Sequence, residues 1–84
     1  MYRITYKRSA VKALAKMPKA TAERFRVAFS AIAINEIAHL DIKKMEGEAG
    51  FRLRIGRYRA VYEIDNGQLM VMVFNIGSRG DVYK

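Results

Sequence analysis

The sequence contains the segment Phe51-Arg52-Leu53-Arg54-Ile55-Gly56-Arg57-Tyr58-Arg59, which places four arginines within nine residues. Its first five residues alternate between apolar and basic, and successive side chains of a strand point to opposite faces. The alternation predicts a strand with its apolar side chains in a core and with Arg52 and Arg54 together on the other face. The Gly-Arg pair that follows allows a turn, after which the chain becomes extended again. Such a surface suits RNA or another polyanion, because each guanidinium is permanently charged and donates hydrogen bonds in a planar fork.

The length and charge of the chain limit what it can be. Its 84 residues are expected to form a single domain, residues 1–84, since there is no room for a second core. The 16 basic and 8 acidic residues leave a formal charge of +8. This excess indicates an anionic partner, namely nucleic acid, an acidic protein segment or an anionic membrane surface. A basic domain without any such partner is the alternative.

The chain contains no cysteine, which excludes disulfides and thiolate metal sites and favours a reducing cytoplasm. The N-terminus lacks the apolar segment of a signal peptide, and the longest apolar run, Val27–Ile34, is too short to cross a bilayer. We therefore expect a soluble, cytoplasmic protein with no membrane partner.

The first half of the sequence predicts one strand and two helices. Tyr2–Tyr6 alternates as a strand with one solvent-facing side, and Ser9 is predicted to cap a helix that runs to about Met17. Pro18 ends that helix, and a longer one is predicted from Lys19 to about Glu36. Two helices joined by so short a link form a helical hairpin.

The second half predicts a loop over residues 38–50 and then three strands, Phe51–Ile55, Tyr58–Ile64 and Leu69–Ile76. Asn66-Gly67 predicts a tight type I′ hairpin between the last two strands. The last strand is almost entirely apolar, which is typical of a central strand. The predicted fold is α+β in the order β-α-α-β-β-β, with the helical hairpin on one face of a small, mostly antiparallel sheet.

Several kinds of catalytic site are unsupported by the sequence. The single histidine, His39, lies beside Asp41 without a second type of ligand nearby, so neither a metal site nor a metal cofactor is predicted. Glu63 and Asp65 are interpreted as solvated hairpin residues rather than a catalytic pair. No glycine-rich loop of a nucleotide-binding type is present, so no nucleotide cofactor is predicted.

The remaining candidates are four arginines and one tyrosine: Arg52, Arg54, Arg59, Arg79 and Tyr83. The ends of the predicted strands could bring these five groups to one concave surface. Arginines stabilise the charge that accumulates on a pentacoordinate phosphorus, and a tyrosine can stack on a base or donate a proton. The alternative is an exposed basic face with tyrosines at its rim and no such function.

The run Leu53–Ile64 (LRIGRYRAVYEI), followed by an apolar strand and by Gly77-x-Arg79…Tyr83, resembles the RelE/ParE toxin superfamily of type II toxin–antitoxin systems. The resemblance covers essentially the whole chain and implies the same strand, helical hairpin and three further strands. Members of the RelE branch cleave messenger RNA in the ribosomal A site and so inhibit translation. Their reaction is a metal-independent attack of the ribose 2′-OH on the adjacent phosphate. Members of the ParE branch inhibit DNA gyrase instead.

The resemblance also implies roles for the five candidates. Arg59 corresponds to the arginine that holds the scissile phosphate, Arg79 to a second charge stabiliser, and Tyr83 to the tyrosine that orients the nucleotide and takes part in proton transfer. Arg52 and Arg54 stand where RelE-type enzymes carry two lysines, which leaves the general base open. Arg79 and Tyr83 together favour the RelE branch. A gyrase inhibitor, or an inactive member that only binds an antitoxin, is the alternative.

The partners implied by the resemblance are the ribosome with its messenger RNA and a cognate antitoxin. A domain with a charge of +8 should attract an acidic segment that folds on binding and covers the basic face. Operator DNA would be contacted only through the antitoxin.

Overall fold

A computed structural model of the chain describes residues 1–78, which form two helices and five strands in the order β-α-α-β-β-β-β. The elements are β1 (Arg3–Tyr6), α1 (Arg8–Lys16), α2 (Lys19–Ala33), β2 (Asp41–Lys44), β3 (Phe51–Ile55), β4 (Tyr58–Asp65) and β5 (Met70–Ser78).

The five strands form one sheet in the order β1-β5-β4-β3-β2. β1 runs parallel to β5, and every other neighbouring pair is antiparallel, which confirms the predicted, mostly antiparallel sheet. Parallel neighbours cannot be joined by a tight turn. The helical hairpin follows β1 directly and is the first part of the long connection from β1 to β5.

The core lies between the helical hairpin and one face of the sheet. Phe25 and Phe29 of α2 are fully buried, as the helical spacing of these residues implies. The ring of Phe29 meets Tyr6 of β1 and Tyr62 of β4 edge-to-face, with centroids 5.9 Å and 5.5 Å apart. Leu53 of β3 is also fully buried, which confirms the face assignment made from the alternation. One helical side chain thus packs on two separate strands and fixes the hairpin to the sheet.

The predicted cap at Ser9 is wrong. α1 begins at Arg8, its N-cap is Lys7, and no side chain caps the helix. The Ser9 hydroxyl instead donates a 2.6 Å hydrogen bond to the backbone carbonyl of Phe74 in β5. A serine oxygen can serve a helix end or a neighbouring strand, and here the tertiary partner engages it.

The second helix ends at Ala33, earlier than the predicted Glu36. Asn35 has a left-handed φ of 61°, and asparagine is one of the few residues that tolerate this conformation. The amides of Asn35 and Glu36 donate to the carbonyls of Ile32 and Ala31, which is the pattern of a Schellman motif. The helix therefore stops where the backbone reverses its twist, although the apolar residues continue.

The predicted loop over residues 38–50 is wrong in one part, because it contains the edge strand β2. Asp41, Lys43 and Lys44 are exposed, and only Ile42 is half-buried and packs against the core. Charged residues are common on edge strands because they discourage pairing with other chains. Because charged residues are not typical of strands, the same residues led to the prediction of a loop in this segment.

The predicted type I′ turn at Asn66-Gly67 is also wrong. That turn needs positive φ at both central residues, whereas within residues 66–69 the positive φ belongs to Leu69, at 52°. Asp65 pairs with Met70 and closes a four-residue loop. The Asp65 carboxylate accepts hydrogen bonds from the amides of Gly67 at 2.9 Å and Gln68 at 3.1 Å, and so fixes a longer loop than the dipeptide suggested.

β5 carries a bulge opposite the middle of β4. Val61 pairs with Asn75 and Tyr62 pairs with Val73, so Phe74 is the extra residue. Because of the bulge, Val73 and Ile76 both remain on the buried face. Within residues 1–78, neither helix has the length and apolarity to cross a membrane.

Candidate functional site

The face of the sheet that the helices leave open carries the three candidate arginines of the described chain. Arg52 and Arg54 alternate with the buried residues of β3, as predicted. Arg59 lies on β4 directly opposite Arg54 in the antiparallel register. Residues opposite each other in a sheet share a face, with Cβ atoms about 4.5–5.5 Å apart. The structure therefore places Arg54 and Arg59 side by side, with Arg52 one side-chain row away.

Two like charges directly opposite each other destabilise a sheet. Within residues 1–78, no hydrogen bond or ion pair engages the half-buried side chain of Arg59. Its charge is therefore left uncompensated beside that of Arg54. An anion bound between the two guanidinium groups would remove the repulsion and would receive hydrogen bonds from both.

Arg54 is held by the edge strand β2. Its Nε donates to Asp41 Oδ2 at 2.9 Å, and Asp41 is its direct partner in the register of β2 and β3. A guanidinium has five N–H donors, so this bond leaves four for another acceptor. Asp41 thus fixes the direction of the Arg54 side chain and leaves four of its N–H donors for an anion.

The edge strand adds a residue that sequence reasoning did not predict. Lys43 is the cross-strand partner of Arg52, so its exposed side chain lies on the open face. A shallow groove at this edge is lined by Lys43, Lys44, Met45, Glu46 and Arg52. The signal for Lys43 would have been a strand at residues 41–44, and the charged sequence of that segment does not provide it.

Arg57, the fourth arginine of the stretch, lies in the turn between β3 and β4. This turn closes between Ile55 and Tyr58, and Gly56 supplies its positive φ of 59°. The Arg57 guanidinium lies 5.8 Å from the centroid of the Tyr58 ring, a side chain of the buried face. Arg57 is therefore separate from the Arg54–Arg59 pair, although it is close in sequence.

The last two predicted site residues, Arg79 and Tyr83, lie outside the described residues. The described part of β5 ends at Ser78, and Gly77 is the β5 partner of Arg59. The roles of Arg79 and Tyr83 stay predictions.

Of the other ionisable groups named from the sequence, Asp41 is bonded to Arg54, and His39 lines a pocket that Asp41 and Arg54 also line. Asp65 organises its loop through its carboxylate, as expected of a hairpin residue. Across residues 1–78, no three histidine, aspartate or glutamate side chains lie close enough to hold a metal ion. Burial raises the pKa of Tyr62 to about 12, and burial also raises the pKa of Tyr6 against the opposing effect of Arg26. Both tyrosines lie on the helix-covered face and cannot serve the open one.

Comparisons with known proteins place this arrangement in context. The model of a protein family described as the ParE toxin of the type II toxin–antitoxin system parDE matches residues 4–83. A search of curated proteins returns no significant match.

Among solved structures, the RelE–RelB complex of the archaeon Pyrococcus horikoshii contains a chain that is 30% identical, with a TM-score of 0.77. The match covers 95% of this chain and 97% of that one. The RelB–RelE antitoxin–toxin complex of Methanococcus jannaschii matches at 22% identity and a TM-score of 0.76, over 94% of each chain. The isolated RelE toxin of E. coli matches at 20% identity and a TM-score of 0.78, over 99% of this chain and 92% of that one. The last two likenesses concern the fold alone.

Proposed function

This chain belongs to the ParE toxin family of type II toxin–antitoxin systems, and from that premise we propose that it is a ribosome-dependent endoribonuclease that cleaves messenger RNA in the A site. The observation that carries the proposal is the cross-strand pair Arg54 and Arg59 on the open face, with Arg52 beside it. Three guanidinium groups on one exposed surface provide the charge and the hydrogen-bond donors that a phosphodiester needs.

The proposed reaction is a transphosphorylation within the messenger. The ribose 2′-oxygen forms a bond to the adjacent phosphorus while the bond from phosphorus to the 5′-oxygen of the next nucleotide breaks. The 2′-OH gives up its proton to a base, and the 5′-oxygen takes up a proton as it leaves. The products are a 2′,3′-cyclic phosphate and a 5′-hydroxyl, and negative charge accumulates on the phosphoryl oxygens between them. Arginines preorganised around those oxygens stabilise the transition state more than the substrate.

Four of the five candidate residues have a proposed role in this reaction. Arg59 holds the scissile phosphate, and Arg54 contributes a second guanidinium whose direction is set by Asp41. Arg79 adds a further charge, and Tyr83 orients the nucleotide. Arginine is a poor general base because its pKa lies above about 12, so Tyr83 is also the proposed carrier of the 2′-OH proton.

The proposed inhibitor of the toxin is an acidic antitoxin. Two of the matching structures are complexes of a RelE toxin with its RelB antitoxin. The formal charge of +8 and the uncompensated Arg59 would attract an acidic segment, which by covering the open face would exclude RNA. Contact with operator DNA is proposed to occur only through that antitoxin, and the toxin would act in the cytoplasm, where ribosomes are.

A second candidate function is inhibition of DNA gyrase. Two observations favour it. The family model that matches the chain is that of the ParE toxin. In addition, Arg52 and Arg54 stand where RelE-type enzymes carry two lysines. A toxin that binds a protein target needs no general base, so it would tolerate this replacement. A member that only binds its antitoxin is the third reading.

One experiment separates the three readings. The purified toxin is incubated with messenger-programmed ribosomes, with the same messenger alone, and with gyrase and relaxed plasmid. We expect cleavage within the A-site codon that occurs with the programmed ribosomes and not with the messenger alone. Loss of gyrase supercoiling without cleavage would establish the second candidate. Neither activity, with tight antitoxin binding retained, would establish the third.

A further inference from the structure

Lys43 and Lys44 are adjacent residues of one edge strand, but they face opposite sides of the sheet. Lys43 pairs with Arg52, which is on the open face, whereas Lys44 pairs with Phe51, which packs against the core. The Lys44 ammonium lies 5.4 Å from the centroid of the Phe51 ring. The exposed side chain of Lys43 is part of the groove that Arg52 also lines.

The register gives the position of Lys43 relative to the arginine pair. Strands of a sheet lie about 4.8 Å apart and rise about 3.4 Å per residue. Lys43 is two strands from Arg59 and two residues along, so their Cα atoms are separated by roughly 12 Å. If the Lys43 and Arg59 side chains both stand perpendicular to the sheet, one phosphate cannot contact the two at once. A nucleic-acid strand that passes over the Arg54–Arg59 pair would present a different phosphate to Lys43.

The charges around Lys43 favour an anionic ligand there. Its cross-strand neighbour Arg52 is also basic, and Asp41, an acid of the same face, is bonded to Arg54. Glu46 lines the groove and offsets one of its positive charges. Of the three basic residues that line the groove, Lys43 and Arg52 lie on the open face, whereas Lys44 lies on the opposite face over the Phe51 ring.

We propose that Lys43 and Arg52 form a second phosphate subsite, which binds the RNA backbone next to the scissile phosphate. The inference rests on the proposed function, since it assumes that RNA crosses the open face. Lys43 is here a binding residue that sets affinity and register; it takes no part in the chemical step. A lysine is suited to this role, because a flexible point charge can follow a backbone that is not held rigidly.

The test compares Lys43→Gln with Lys44→Gln, which removes the same charge from the same strand on the opposite face. Ribosomes are programmed with a messenger that has 2′-deoxynucleotides in the A-site codon, so that binding is measured without cleavage. Affinity is measured from 50 to 200 mM salt. Each phosphate contact with a single strand contributes about 0.7 to the slope of log affinity against log salt. We expect Lys43→Gln to lower the slope by about this amount and Lys44→Gln to leave it near the wild-type value.

A second measurement separates binding from chemistry. On ribosomes with an all-ribose messenger, the single-turnover rate at saturating toxin should be unchanged in Lys43→Gln, while the toxin concentration that gives half the maximal rate rises several-fold. Lys43→Arg should restore most of the affinity. Equal slopes for the two glutamine variants would overturn the subsite, and so would a lower rate at saturation. If the wild type cleaves but the two glutamine variants have equal slopes, or if Lys43→Gln has a lower rate at saturation, the subsite is wrong and the proposed function stands. If the wild type neither binds nor cleaves, both fall.

Discussion

On the helix-covered face of the sheet, Leu53, Tyr62 and Val73 are at most 2% exposed. On the open face, Arg54 and Lys43 are exposed, and Arg59 has no acidic partner within residues 1–78. β3 and β4 supply residues to both sets in alternation. The first set lowers the free energy of the folded state through burial. The second set places like charges together and opposes folding slightly. We therefore expect substitutions on the covered face to change stability most and substitutions on the open face to change it least.

The largest expected effect comes from breaking the covered face. Phe29→Ala should lower the free energy of unfolding by about 3–5 kcal/mol, because a fully buried ring that touches Tyr6 and Tyr62 is replaced by a cavity. Denaturant unfolding measures the change. Cleavage per folded molecule should stay near wild type below the unfolding transition. A loss of less than 1 kcal/mol would mean that the helical hairpin does not depend on this ring.

Breaking the open face should have the opposite pattern. Arg59→Ala should reduce the single-turnover cleavage rate on ribosomes by about 10²–10³, as is typical for the loss of one preorganised charge donor. The free energy of unfolding should not fall, since the repulsion between Arg54 and Arg59 is removed. We expect the same loss of activity for Arg79→Ala.

The matched control is Arg57→Ala. It removes the same charge two residues away, from a guanidinium that lies on the Tyr58 ring. Its cleavage rate should remain within a few-fold of wild type. If Arg57→Ala and Arg59→Ala lose activity equally, net charge matters and the site on the open face does not exist as described.

Alkaline pH should lower the free energy of unfolding through Tyr62, a buried residue of the covered face. Burial raises the pKa of Tyr62 from 10.0 to about 12 in the folded protein. The unfolded chain loses this proton near pH 10 and the folded chain only near pH 12, so the stability from this group is complete below pH 10 and is lost as the pH rises to 12. The loss is on the order of 2 kcal/mol. Urea unfolding at pH 9 and pH 11.5 should show it, and Tyr62→Phe should reduce it. An identical pH dependence in Tyr62→Phe would assign the effect to other groups.

The smallest expected effect concerns the choice of arginine at position 54. Arg54→Lys keeps the charge and an ion pair with Asp41, but a lysine cannot donate to Asp41 and to a phosphate in a planar fork. The single-turnover rate should therefore fall about tenfold, with ribosome binding retained. A faster variant would show that a lysine at this position transfers the 2′-OH proton, as the resemblance to RelE-type enzymes permits. Asp41→Asn gives a companion measurement, since it frees the Arg54 side chain without changing it.

Much of the fold and part of the site could be predicted because the signals were local. The alternation of Phe51–Ile55 placed Arg52 and Arg54 on one face, and Gly56 placed the turn that brings Arg59 back beside Arg54. One error arose where a distant partner decided the outcome: Ser9 bonds to Phe74, 65 residues away, in place of its own helix. The error at Asn66-Gly67 has a local cause, since the carboxylate of the neighbouring Asp65 binds the amides of Gly67 and Gln68 and closes a longer loop.

The alternation along β3 and β4 is enough to tell which of their side chains are buried and which face solvent, because a strand alternates with a period of two whatever lies beside it. The basic character of the open face and the family of the chain also follow from the residues alone. That residues 41–44 form a strand follows only from their tertiary contacts. Charged residues have little intrinsic preference for that conformation, and they adopt it here because β3 offers unpaired backbone groups at its edge. That pairing brings Asp41 to Arg54 and Lys43 to Arg52, and no local pattern could have shown either contact.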